Sequence, residues 1–230
     1  MDFKRMKSYF AGGESVDVFV GISLIILGII SFPMGIIIGG VVCILVGIAA
    51  LCMGYGALVK KMSDDEYDSA VARCSDSLIR SHAFSKLGVD KSEVNEIAPI
   101  FLSGYDFEET DEIKVKQGKD NLWRSNIYKT IALFFSRNEL HCYTIKFLTT
   151  ENYILGEETE VYFYQDIVSA STASVNNKIT VKGQKITINS EAFRLTTKGG
   201  TFITVNIVDS RRAQESVNAM RALLREKKSS

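Results

Sequence analysis

The sequence predicts a two-pass transmembrane α-helical hairpin at the N-terminus, followed by a mainly β domain in which a small antiparallel barrel is closed by an amphipathic C-terminal helix. Three observations predict it. Forty-two uncharged residues run without a break from Val18 to Val59. Ten short segments of strand character follow Pro99, several of them parted by Gly- or Asn-containing turns. Near the end, Ala213, Val217, Met220 and Leu224 recur at helical spacing and form one apolar stripe.

The uncharged stretch sets the first expectation. A bilayer core of roughly 30 Å is crossed by about 20 apolar residues, so the stretch is about twice too long for one pass and has the length of a hairpin. Lys4, Arg5 and Lys7 precede it, and Lys60 and Lys61 follow it. The positive-inside bias then places both ends in the cytoplasm, which predicts a multi-pass inner-membrane protein with both termini cytoplasmic. A turn at Pro33-Met34-Gly35 leaves unequal arms, Val16 to Phe32 and Ile36 to Val59, whereas a turn at Gly39-Gly40 balances them and makes Pro33 a kink; both stay open. A cleaved signal peptide would show a small-x-small site, and a buried soluble hairpin would leave no polar face for water.

Small residues in the stretch are spaced, not scattered. Gly40, Cys43, Gly47, Ala50, Gly54 and Ala57 alternate steps of three and four, while Gly21, Gly28 and Gly35 repeat every seven. In lipid, close backbone approach over small residues drives helix association, so Gly21, Gly28, Gly40, Gly47 and Gly54 are expected transmembrane packing positions. The expected partners are therefore the lipid bilayer and either a protein partner or a second copy through the hairpin. Twenty-seven Lys and Arg balance twenty-seven Asp and Glu, which gives nucleic acid no basic surface. Cys43, Cys52, Cys74 and Cys142 form no CxxC or Cys/His cluster, so free thiols and no metal site are expected.

The organisation predicted is a leader (1–15), a hairpin (16–61), a helical connector (62–98) and a β domain (99–230). Ser63 before Asp64, Asp65 and Glu66 is a capping box. Tyr67, Val71, Cys74 and Leu78 continue the helix until Gly88 ends it near Leu87. The strand series runs over 99–107, 112–116, 126–136, 139–148, 160–164, 167–171, 178–182, 185–189, 193–197 and 201–208. Turns are expected at Ser136-Arg137-Asn138, Asn176-Asn177, Lys182-Gly183-Gln184 and Lys198-Gly199-Gly200. Ser210 caps the last helix, from Arg211 to about Glu226.

Two stretches carry a family resemblance. Ala132-Leu133-Phe134-Phe135-Ser136-Arg137-Asn138-Glu139-Leu140-His141-Cys142-Tyr143 is an apolar strand, a polar turn and a returning "x-Leu-x-x-Tyr" strand, and Tyr164-Gln165-Asp166-Ile167-Val168-Ser169 is a "polar-Asp-Ile-x-Ser" start to the next. With the closing helix they resemble the pleckstrin-homology-like superfold, in particular its bacterial and GRAM-like members, over roughly 99–226. The resemblance implies binding or scaffolding without shared catalytic residues or cofactors. It implies a basic cluster around the loop between the first two strands, where Lys114, Lys116, Lys119 and Arg124 lie. Glu108, Glu109, Asp111, Glu112 and Asp120 dilute that cluster, and a solvated mixed-charge surface is the competing reading.

Catalysis finds no motif. The chain has two histidines, His82 and His141, and no GxSxG, HExxH or P-loop. His82 near a helix end reads as solvated or paired with the dipole, His141 in a strand as structural, and Trp123 as core or membrane-facing. The expected function is a membrane-anchored cytoplasmic binding or scaffolding module. The alternatives are a membrane effector that senses a small ligand through its barrel and oligomerises through its hairpin, and an accessory subunit of a membrane complex.

Overall fold

The computed structural model describes the backbone of residues 2–10, 16–31, 37–59, 62–94, 97–108, 110, 113–181, 183–200, 202–207 and 210–229, and all of their side chains but those of 16–18, 37, 53–59, 202, 210–213 and 229. The chain divides into two compact units, residues 7–63 and Met1–Met6 together with Asp64–Ser230. A short helix, α1 (Phe3–Phe10), begins the chain.

The smaller unit holds α2 (Val16–Ser31) and α3 (Ile37–Val59), packed antiparallel on each other. Glycine decides how close they come. A Cβ on Gly21 would stand 2.9 Å from the Gly47 carbonyl oxygen, and one on Gly28 would stand 2.7 Å from that of Gly40. The seven-residue spacing on α2 thus faces the same spacing on α3, at distances no side chain tolerates. The environment of Gly54 lies outside the described side chains. Gly39 and Gly40 sit inside α3, so the arms do not turn there; Pro33-Met34-Gly35 lie outside the described residues, as do Lys60 and Lys61.

The two-pass transmembrane hairpin, and with it the multi-pass inner-membrane location with cytoplasmic termini, is overturned. Among the described residues no helix is long and apolar enough to cross a membrane. A chain that crosses twice needs two spanning arms. The described residues of α2, sixteen in all, rise about 24 Å, short of the roughly 30 Å core, and Asp17 is among them. The outward sides of both helices nevertheless keep Phe19, Ile26, Leu27, Ile30 and Leu45 exposed.

The larger unit is mostly β. Strands β1 (Ile100–Tyr105), β2 (Val115–Gln117), β3 (Trp123–Ser125), β4 (Ile127–Phe135), β5 (Glu139–Leu148) and β6 (Tyr153–Phe163) make a four-stranded antiparallel sheet in the order β1-β4-β5-β6, with β2-β3 a separate hairpin. A 3-10 turn at Tyr164–Asp166 leads to the three-stranded meander β7 (Ile167–Val181), β8 (Gln184–Thr197) and β9 (Phe202–Asn206). Alternation puts Ile131, Leu133, Leu140 and Cys142 on the inner face, where they meet Phe193, Leu195 and Val205 of the meander. The last helix, α5 (Ser210–Ser229), closes this core with Val217, Met220, Leu223 and Leu224.

The meander departs from the expected short strands. Asn176-Asn177 is no turn: both pair in register with Asn189 and Ile188, and the Asn177 side chain donates to Ser190 Oγ at 3.0 Å. Ladder hydrogen bonds outweigh the local turn preference of asparagine, and the chain reverses at Gly183, whose φ of +80° suits glycine.

The outer face of the four-stranded sheet carries α4 (Asp64–Leu87), which ends on Gly88 at φ +67°. It is no free spacer. Tyr67, Val71, Cys74, Ile79 and Ala83 are buried, and Ser75 Oγ lies 2.7 Å from Thr130 Oγ1 of β4.

Candidate functional site

Three features lie along α4, and the register of the sheet explains each. Phe101, Tyr105, Tyr128, Phe134, His141, Tyr143 and Glu157 share the outer face, because paired residues project to the same side.

At the start of α4, Asp68 meets the basic hairpin. Arg124 donates from Nε and Nη2 to the two oxygens of Asp68 and from Nη1 and Nη2 to those of Asp120, at 2.7–3.0 Å. Tyr105 also donates to Asp68, at 2.5 Å, and stacks on Tyr67. The guanidinium hydrogen-bonded beside Asp120 holds that carboxyl down to about 2. Burial, with the neighbouring Tyr67 and Asp68, pushes the Tyr105 hydroxyl pKa far up. Lys114 uses its backbone N–H on Asn126 Oδ1 at 2.6 Å, Lys119 uses its own on Asp64 Oδ2 at 2.8 Å, and Lys116 is the register partner of Arg124. Glu109, Asp111 and Glu112 lie outside the described residues.

At the far end, Glu157 of β6 accepts from Tyr143 Oη, lies 2.9 Å from His82 Nδ1 and pairs with Lys86 Nζ at 3.0 Å. The hydrogen bond from Tyr143 and those from Lys86 and His82 hold its carboxyl down to about 2 against the opposing desolvation. Burial and the Glu157 charge push the Tyr143 hydroxyl up. Through His82 and Lys86 of α4 and Tyr143 of β5, Glu157 acts as a clamp between α4 and the sheet edge. The sequence held no signal for it, as His82 and Glu157 are 75 residues apart.

Beside α4 opens a cleft of about 660 Å³, lined by Ile79, Phe84, Val94, Ile97, Phe101 and Phe134 with Asp76, Arg80 and Lys91. The Phe84 ring lies 4.8 Å from that of Phe134, and Phe101 meets Phe134 edge-on at 6.2 Å. Lys91 Nζ sits 5.4 Å above Phe84. Arg80 and Phe84 are one helical turn apart and so on one side of α4. No family model, curated protein or solved structure matches the chain. The site therefore has to be interpreted from its own chemistry.

That chemistry is apolar with a cationic margin. The volume falls in the range of small-molecule sites, and the few charges are two cations to one acid. A second cleft, of about 250 Å³, lies beside Tyr105, Trp123, Asn189 and Asn206, but its cation, Arg124, already faces two carboxylates. Among the described residues no group of three or more His, Cys, Asp or Glu is placed to hold a metal. All four cysteines are unbridged; burial pushes Cys74 up to about 11 and Cys142 up to about 12, which leaves both as unreactive thiols. His141 is buried behind Phe134 in register, with its Nδ1 unsatisfied among the described residues.

Proposed function

We propose that the Asp64–Ser230 unit is a non-catalytic binding module of the pleckstrin-homology-like kind, and that its ligand occupies the aromatic cleft under α4 instead of the basic hairpin. The ligand is an apolar chain or ring with an anionic end. A four-stranded sheet interrupted after its first strand by the β2-β3 hairpin, then a three-stranded meander, then a closing helix, is the order that supports the family reading. The cleft carries the functional reading, since Phe84, Phe101 and Phe134 supply apolar surface while Arg80 and Lys91 supply positive charge beside it. The clamp of Glu157 on His82 and Lys86 keeps the helix seated over the cleft without taking part in chemistry.

The test is a titration of the full chain with dodecanoate and with dodecanol, followed by calorimetry. A saturable site that prefers the carboxylate, and that weakens at least tenfold in Arg80→Glu and in Phe101→Ala, supports the reading. Phe101 is 46 % exposed, so its truncation leaves the core intact. Equal binding by all variants would place any uptake elsewhere, for instance on the exposed apolar sides of α2 and α3, and would sink the proposal.

A further inference from the structure

The four-stranded sheet ends on β6, eleven residues long, and no strand among the described residues pairs with its other side. The opposite edge is occupied differently: the Asn206 side chain at the end of β9 donates to the Tyr105 carbonyl at 2.8 Å, and a Cβ on Gly104 would strike the Asn206 carbonyl. The direction of the free groups on β6 follows from the ladder. Ser136 donates to the Glu139 carbonyl at 3.0 Å, and Tyr164 donates to that of Asn138. Bonded pairs alternate in an antiparallel sheet. Tyr162, Glu160 and Glu158 therefore exchange bonds with β5, and the N–H and C=O groups of Glu157, Thr159, Val161 and Phe163 point away from it.

Natural edges are blunted by proline, charged side chains, bulges or a cover; here the bulge, opposite Lys146 and Phe147, precedes Glu157, and the charges on the edge are acids. Between Tyr153 and Phe163 there is neither proline nor lysine. Val161 and Phe163 are 50 % and 56 % exposed on one face, while Glu158 and Glu160 project from the other, with no ion pair among the described residues.

We propose that the Glu157–Phe163 edge takes an added strand from a protein partner, an extended segment that alternates basic with apolar residues. Its backbone completes the ladder, its apolar residues cover Val161 and Phe163, and its cations stand opposite Glu158 and Glu160. Charge argues against a second copy, because antiparallel pairing of two β6 strands would set these acids against one another. The edge stands apart from the aromatic cleft, and the two can fail separately.

The experiment measures fluorescence anisotropy of two labelled seven-residue peptides, one alternating lysine and valine and one alternating glutamate and valine, on the full chain. The expected result is binding of the lysine peptide alone. Thr159→Pro removes an outward N–H and leaves the β5 ladder whole, so affinity should fall at least tenfold with the thermal midpoint nearly unchanged. Should that variant misfold, Glu158→Lys with Glu160→Lys serves instead and should transfer the preference to the glutamate peptide. Failure of the wild type to bind either peptide, or equal binding by wild type and variants, overturns the proposal. A dimer that Thr159→Pro dissolves, without peptide binding, also overturns it by naming the second copy as occupant.

Discussion

Arg124, only 2 % exposed, grips Asp68 through two parallel hydrogen bonds, Nε to Oδ1 and Nη2 to Oδ2, each 2.7 Å. One partner sits in the first turns of α4 and the other on β3, so the pair fastens the helix to the β2-β3 hairpin. The same guanidinium reaches Asp120, four residues back. A planar fork suits two carboxylates at once, which an ammonium cannot match.

Arg124→Gln should therefore destabilise the larger unit by about 2–3 kcal/mol, less than the 3–5 typical of a fully buried pair because both acids keep some solvent. Arg124→Lys should recover only part of the loss. Urea midpoints measure both, and a midpoint unmoved by Arg124→Gln would mean that the pair contributes nothing net.

Glu157 predicts an acid limb. Its carboxyl is held down to about 2 in the fold against an ordinary value of 4.5. A depressed carboxylate contributes stability that is complete above its unfolded value and lost as pH falls through the folded one. Thermal midpoints of the wild type should fall between about 4.5 and about 2, and Glu157→Gln should be lower at neutral pH yet flatter across that window. Tyr143→Phe should cost about 1 kcal/mol at neutral pH. Parallel acid limbs in wild type and Glu157→Gln would assign the loss to other carboxylates.

Gly47→Leu tests the contact between α2 and α3. A Cβ there would stand 2.7 Å from the Gly21 carbonyl oxygen, so the arms must part toward the about 8–10 Å axis spacing of ordinary helix pairs. Spin labels at Ser23 and Val46 in a cysteine-free background would report a longer distance. An unchanged distance would show that α3 rotates to relieve the clash.

Met220→Asp places an unpaired charge at a side chain that is 1 % exposed beneath the two sheets. A loss of about 4 kcal/mol is expected, enough to expose much of the core at body temperature. Retention of the wild-type urea midpoint would place α5 away from the core.

Much of the local structure is legible in the sequence. Ser63 with its acids and Gly88 bracket α4, the apolar run and polar turn of 132–143 mark a strand hairpin, and Val217, Met220 and Leu224 mark the buried side of α5. These signals survive because they depend on neighbours within one turn or two strand positions. The candidate site was not legible. Phe84, Phe101 and Phe134 come from three separate elements, and no spacing along the chain announces that their rings meet.

What the sequence determined by itself was thus element type and the face that each would bury, since both follow from short-range periodicity and capping. Tertiary structure alone decided that Arg124 would be consumed by Asp68, 56 residues away, that His82 would find Glu157 across 75, and that β6 would be left at an edge. It also stands against the membrane hairpin, since among the described residues no helix is long and apolar enough to cross a membrane, which the count of uncharged residues does not contain. Partners distant in sequence are chosen by sheet order and register, and those emerge only when the whole core closes.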